Sequence, residues 1–445
     1  MYHDVVSSVD ESMNDSLAAL SELVAIPSIS ADSFDQSTLA ESAQWIANKA
    51  RGLGFDTRVI QVEGEAGTGR PAVLATRAGE PGKPTVVLYA HHDVQPVGDL
   101  ALWDTDPFVA TERDGRLYGR GTADDKAGVV AHLAAVAAAR PGVGITLFIE
   151  GEEEVGSPTF VDFLHAYKAE LDADVIVVAD SNNWKVGTPS LTTSLRGVTQ
   201  VSVTVTALDH ALHSGMYGGP VLDSVTLASR LIATLHNDAG DVAVEGLLAT
   251  DDTPVDYPEE EFRSDAGLLE GVRLAGSGSI TSRLWTKPAI AVTAMDVTPV
   301  RLTSNTISPS TTFVLSLRVA PGQDSGEAAE KLIDHLKAHA PFGAHVDCVI
   351  NERGPAFQAS GQSEASQLME WALGEAWGTD PVDIGVGGSI PFIADLAREF
   401  PQAQILVTGI EDPDTRAHSA NESLHIGDWR NAIAAEALLL TRLGE

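Results

Sequence analysis

The sequence predicts an α/β protein: a helix-covered mixed sheet with a smaller α+β (ferredoxin-like) domain inserted into it. Two observations carry this prediction. Short β-branched runs alternate with helical patterns through the first part of the chain and again near the C-terminus. Between those two parts the strand texture changes from unbroken apolar runs to strict alternation, as it should when strands buried on both faces give way to strands with one solvated face.

The elements follow in order. Residues 10–25 carry Leu17, Leu20 and Val24 at helical spacing up to "IPSIS", and residues 36–52 repeat the pattern around Leu39, Trp45 and Ile46. The runs "PAVLAT", "PTVVLYA", "GITLFIE" and "DVIVVAD" read as buried strands, with "KAGVVAHLAAVAAAR" as a helix among them. Alternation of this kind makes a sheet covered by helices. After Asp180, "VTQVSVTVTA" alternates, a helix is expected around "VLDSVTLASRLIATLHND", and residues 238–280 read as an acidic, Gly-rich loop. Strands "PAIAVTAM" and "TTFVLSLRV", helix "SGEAAEKLIDHLKAHA" and strand "AHVDCVI" complete the insert. From "GPAF" the chain returns to helix "SQLMEWALGEAW", strand "AQILVTG" and a terminal helix. The expected division is a first domain of residues 1–190 plus 355–445, with an inserted domain at 191–354.

Composition narrows the function. The 445 residues carry 63 acidic against 28 basic side chains, a net charge of −35. Nucleic acid and anionic membrane both require a cationic surface, so neither is an expected partner. The single Cys348 excludes an intramolecular disulfide and argues for a reducing, cytoplasmic setting. The opening "MYHDVVSSVDESMNDSL" lacks the basic start and apolar core of a signal peptide. No apolar run reaches the roughly 20 residues that a membrane span needs.

Polar groups collect where the strands end, the place where ligands bind in such sheets. They are His91 and Asp93, Asp124 in "GRGTADDKAG", Glu153 and Glu154 in "EGEEEVGS", Asp180 in "VVADSNN", and His418 in "TRAHSANES". Each alone has a plainer reading: a loop turn for "HxD", a solvated charge run for "EGEEE", a helix cap for Asp180. Together, imidazoles mixed with carboxylates form the donor set of zinc, manganese or cobalt. They exceed one tetrahedral site and suffice for two metals that share a carboxylate.

In chain order, "LYAHHDVQP", "LYGRGTADDKAG", "EGEEEVGS", "VVADSNNW", "LHSGMYGGP", "GGSIPF" and "AHSANESL" resemble the signature blocks of the dinuclear metallopeptidase family of carnosinase-like dipeptidases. That family also includes glutamate carboxypeptidases and acylamino-acid deacylases. The resemblance runs from "LVAIPSIS" to the terminal helix. It implies two divalent ions per subunit, zinc first among them, with His91 and Asp180 on one, Glu154 and His418 on the other, and Asp124 on both. It implies that Asp93 orients His91, that Glu153 is the general base, and that His92 is a bystander. The insert becomes a lid and dimerisation domain, and His213 reaches the active site of the other subunit in a homodimer. Asn305, Arg318 and Ser389 would meet the carboxylate end of a small peptide substrate.

The sequence departs from the family in three places. Ala90 replaces the Gly that usually precedes the ligand His, and Ser308 stands where the family has Pro. Gly385 and Val386 occupy positions that are Arg and Glu in many dipeptidases, so recognition of the substrate's side chain or amino end is expected to differ. The expected activity is hydrolysis of dipeptides or of short peptides with a free C-terminus. An N-acyl amino acid deacylase would use the same residues. A catalytically dead scaffold is disfavoured because the base and all five ligand positions are present together.

Overall fold

The computed structural model describes residues 2–359, 363–388 and 390–445. They form two compact units: Met1–Thr192, Ala359–Asp383 and Asp395–Glu445 make the first, and Thr193–Gln358 with Ile384–Ala394 make the second.

The first unit is built on a mixed sheet. Its order is Asp56–Ile60, Ala72–Arg77, Gly144–Glu150, Thr85–His91, Val175–Asn182, Gln404–Glu411 and then the start of Ser190–Leu195. The four strands from Gly144–Glu150 to Gln404–Glu411 run parallel, and the flanking pairs are antiparallel. The parallel strands are the unbroken apolar runs of the sequence. Leu88 and Val177 turn to a face covered by helices Tyr2–Val24, Lys126–Ala139, Glu364–Trp377 and Ile426–Leu443, together with Leu20, Val130, Met369 and Trp429. Tyr89 turns the other way, as alternation requires. There it meets the Phe148 ring at 5.5 Å, and Phe148 stacks on Phe163 at 4.4 Å.

A buried ion pair crosses the helical layer. The His132 Nδ1 lies 2.8 and 2.9 Å from the two Glu436 oxygens, and its Nε2 is 2.9 Å from the Tyr89 carbonyl. Both nitrogens face acceptors, so the protonated ring suits the site. Burial pulls His132 down, but Glu436 outweighs it and the net shift is upward. A folded pKa above the unfolded value of about 6.5 means that the pair stabilises fully below that pH and fades as pH rises through the folded value. Glu436→Gln should therefore cost about 3 kcal/mol near pH 6, because it strands a buried charge. The cost should shrink near pH 9 in denaturant titrations. An equal loss at both pH values would contradict this account.

The second unit folds as strand–helix–strand–strand–helix–strand. Its antiparallel sheet has the order Ala289–Met295, Ser310–Val319, Gly197–Thr206, His345–Gly354, a ferredoxin-like arrangement. Val201, Val203, Val205, Phe313, Leu315 and Leu317 point inward onto Leu227 and Leu231 of helix Ser224–Ile232 and Leu332 and Leu336 of helix Ser325–Ala338. The sequence expectation differs in two details. The helix expected around 221–238 is shorter: Asp223 caps it by accepting from the Thr226 N–H at 2.8 Å, and a 3-10 turn at Ala233–Leu235 ends it. The loop expected at 238–280 contains helix Glu259–Asp265, whose first turn is Glu259, Glu260 and Glu261. Three acidic residues read as solvated charge in sequence, yet they favour a helix N-terminus. No helix among the described residues is long and apolar enough to cross a membrane.

Candidate metal centre

Parallel strands Thr85–His91 and Val175–Asn182 pair as far as Tyr89 and Val178 and then part. His91 and Asp180 stand just beyond that point. Side chains take the backbone groups left there: His132 on the Tyr89 carbonyl, and Asp125 Oδ2 accepting from the His91 N–H at 3.2 Å. The loop before helix Lys126–Ala139 brings in Asp124 and Asp125, which are joined by a cis peptide bond. Glycine is required on either side of them. A Cβ on Gly121 would stand 2.7 Å from Val94, and one on Gly128 would stand 2.3 Å from Asp125 and 2.6 Å from the Ala179 carbonyl. The helix can therefore approach the strand that carries Asp180.

Two donor groups result, each with its ligand atoms within 4.8 Å of one another: His91, Asp125 and Asp180; and Asp124, Glu154 and His418. Asp124 reaches toward both. Its Oδ1 is 3.1 Å from His91 Nε2, and its Oδ2 is 2.9 Å from His418 Nε2. Glu154 Oε2 lies 3.2 Å from the same His418 nitrogen, and Asp180 lies 4.0 Å from His91 Nε2. His91 is fully buried, whereas the His418 side chain is 58% exposed, so the centre opens on the His418 side.

The surroundings fix these groups. His91 Nδ1 lies 3.0 Å from the backbone carbonyl of Asp93 and 3.4 Å from its carboxylate. Donation from Nδ1 leaves the Nε2 lone pair turned to the acids, the tautomer a metal requires. Asp93 is the residue expected to orient His91, and both its carbonyl and its carboxylate face that ring. The carboxylate also accepts the backbone N–H groups of Glu153 and Glu154 at 3.2 and 3.0 Å, which aims the glutamate turn. Glu152 turns away and accepts from Arg70 N and Thr159 N. Gln95 holds Glu154 through a 2.9 Å bond. His92 is buried against the Pro71 carbonyl, and burial pulls it down to about 4. Glu422 accepts the N–H groups of Ala123 and Asp124 and pairs with buried Arg120, tying the two ligand loops together.

The electrostatics describe a site short of positive charge. Burial raises Glu153, and the neighbouring Asp180, Glu154 and Asp93 add to it against the pull of His91. Burial and nearby carboxylates likewise raise Asp125, Asp180, Glu154 and Glu411. Hydrogen bonds to Asp124 and Glu154 outweigh burial at His418 and push it up to about 11. Carboxyls buried this close together favour neighbouring cations, and among the described residues the buried Asp125 Oδ1 has no hydrogen-bond partner. This donor set fits two divalent ions.

Sequence reasoning missed three of these residues. Asp125 was hidden beside an identical neighbour, Glu422 looked like part of a polar loop, and Glu411 follows a strand that reads as ending at Gly409. In the second unit, His213 and Asn305 adjoin. Strand Leu212–His213 pairs with Thr306–Ile307, and the Ser214 N–H donates to the Asn305 carbonyl at 2.9 Å. Both side chains are exposed. Arg318 lies on strand Ser310–Val319 opposite Val198 and Ala289. Ser389 lies outside the described residues.

A family model described as peptidase family M20/M25/M40 matches residues 87–442. The chain is 33% identical over 417 residues to the cysteinylglycine-S-conjugate dipeptidase of Corynebacterium striatum, covering 92% of this chain and 91% of that protein. It is 27% identical over 462 residues to the Cys-Gly metallodipeptidase dug1 of Schizosaccharomyces pombe, covering 96% and 94%. Among solved structures, the di-peptidase Dug1p of Saccharomyces cerevisiae aligns with a TM-score of 0.78 at 21% identity, over 100% of this chain and 98% of that one.

Proposed function

Because the chain belongs to peptidase family M20/M25/M40, as a metallopeptidase of its dipeptidase branch, we propose that it hydrolyses the amide bond of dipeptides or short peptides that end in a free carboxylate. The observation that carries this reading is the pair of donor groups, with Asp124 of the second group 3.1 Å from His91 of the first and 2.9 Å from His418 of its own, and with Glu153 in neither. His91, Asp180 and Asp124 would hold one ion, and Glu154, His418 and Asp124 the other, with Asp125 an added candidate on the His91 side. Zinc is the proposed metal, and manganese and cobalt suit the same donors. Two such ions, when bound, would supply Lewis acidity toward an amide carbonyl and would lower the pKa of bound water.

The protein's own groups perform the rest. Glu153, aimed by the Asp93 carboxylate, takes the water's proton and returns it to the leaving amine. Asp93 acts on His91 through its carbonyl and carboxylate, holding the tautomer. Arg318 offers a guanidinium fork to the substrate's terminal carboxylate, and Asn305 and Ser389 offer hydrogen bonds to it. The inserted domain, expected at 191–354, serves as lid and dimerisation domain between the catalytic segments 1–190 and 355–445. His213 of the partner subunit then stands against the developing oxyanion. His213→Ala should cost about 2–4 kcal/mol of transition-state stabilisation, measured as kcat/KM. A near-normal rate would remove the residue from the mechanism. A cytoplasmic homodimer is the form proposed.

A deacylase of N-acyl amino acids would use the same groups, but the names of the two curated relatives favour dipeptides. The test is chromatography of free dipeptides and N-acetyl amino acids incubated with metal-loaded protein, with and without chelator. Chelator-sensitive cleavage of dipeptides supports the proposal. Cleavage of the acyl compounds alone moves the function to a deacylase, and cleavage of neither defeats both.

A further inference from the structure

The loop that carries His418 runs from Asp412 to Ser423 without a glycine, yet three of its residues have left-handed backbone. They are Arg416 at φ 58°, His418 at φ 61° and Asn421 at φ 62°. Such backbone is unfavourable for a residue with a Cβ, least so for asparagine and histidine, and it lasts only where the surroundings over-determine it. The His418 ring does little to fix itself. Its side chain is 58% exposed, and among the described residues its polar contacts are the carboxylates of Asp124 and Glu154. His91 is buried and held through its second nitrogen, the usual arrangement for a ligating imidazole. Without such a partner, His418 depends on its backbone for its place.

Glu422 ties one end of this loop to Arg120 and to the Ala123 and Asp124 N–H groups. Asn421 ties it to a different segment. Its Oδ1 accepts from the Asp104 N–H at 2.9 Å, and its Nδ2 donates to the Leu102 carbonyl at 3.1 Å. The segment it grips is fixed in its own right. Asp99 caps the 3-10 turn Leu100–Leu102 by accepting from the Ala101 N–H at 2.9 Å. Trp103, 9% exposed, donates from Nε1 to the Val97 carbonyl at 2.8 Å. Neither donor group includes any of residues 97–104, so the two bonds of Asn421 bring no ligand with them; what they fix is the loop. An amide side chain offers a donor and an acceptor at once, and asparagine tolerates left-handed backbone, so one residue type meets both demands at 421.

We propose that Asn421 is a positioning residue: it holds the His418 loop against Leu102–Asp104 and so presents His418 to the ion that Glu154 would share. This rests on the reading that His418 and Glu154 hold an ion.

The test is zinc calorimetry on metal-free wild type, Asn421→Gly, His418→Ala and the double variant. Glycine takes left-handed backbone without strain, so Asn421→Gly removes the amide alone. Wild type should show two binding events. Asn421→Gly should weaken one of them by about 10–100-fold, the usual effect of losing a group that orients a ligand, and leave the other unchanged. In the His418→Ala background, where that event is already gone, Asn421→Gly should change the remaining event by less than about twofold. Two unweakened events in Asn421→Gly overturn the proposal. So does a weakened remaining event in the double variant, because a merely structural defect does not depend on His418. If Asn421→Gly does not fold, Asn421→Asp replaces it under the same criteria, since it keeps the acceptor for Asp104 and loses the donor to Leu102. Its added negative charge favours cations, so weaker zinc binding there counts fully for the lost bond. If wild type binds fewer than two ions, the two-ion reading fails separately, and hydrogen exchange of residues 412–422 in metal-free protein decides. Exchange faster by about tenfold in the variant upholds the clasp, and unchanged exchange ends it.

Discussion

Glu153→Gln is expected to lower kcat/KM by roughly ten-thousand-fold, the upper range for a general acid–base group, while both metal ions stay bound. The substitution keeps the side chain's size and removes only its ability to take a proton. Glu153 belongs to neither donor group, and its backbone N–H is held by the Asp93 carboxylate independently of the side chain. The turn that places Glu154 should survive, because Asp93 and Gln95 hold Glu154 directly. Metal analysis and steady-state kinetics on the same preparation separate the outcomes. Loss of an ion would make Glu153 a ligand, and activity within about tenfold of wild type would give the proton transfer to another group.

Asp124→Ala should have the other large effect: both ions are lost and activity becomes undetectable. The prediction comes from the two faces of one carboxylate, 3.1 Å from the buried His91 on one side and 2.9 Å from His418 on the other. His418→Ala provides the contrast. It removes a donor from one group only and should leave the His91–Asp180 side able to retain an ion. Elemental analysis of the two variants after equal dialysis checks the difference. If Asp124→Ala kept both ions, Asp125, which also faces His91, would be carrying more of the binding than Asp124.

The sequence made the fold class legible because strands buried on both faces and strands with one wet face leave different patterns, as at Val86–Ala90 and Val201–Val205. It also brought out the polar groups at the strand ends, since an apolar run that stops on His91 or Asp180 has an evident tip. Less visible were features made by distant parts of the chain. Strands Thr111–Arg113, Arg116–Tyr118 and Ser423–His425 form a small sheet, but three residues are too few to show a period. That sheet positions the loops of Asp124 and His418, and the Glu422–Arg120 tie between them spans 302 residues of sequence. Asp124 and Asp125 cannot be told apart by type or spacing. The Leu102 carbonyl and Asp104 N–H that Asn421 meets carry no sequence signal, because a backbone group looks the same at every residue.

The central claim is a hydrolase that works through two ions at these donors. Its most direct measurement is the rate of dipeptide cleavage by metal-free protein as zinc is added in known equivalents, with binding followed in parallel by calorimetry. The account predicts no turnover without metal and a rise that saturates at two equivalents per subunit, one for each donor group. Full activity in metal-free protein, or saturation at one equivalent with no second binding event, would contradict it.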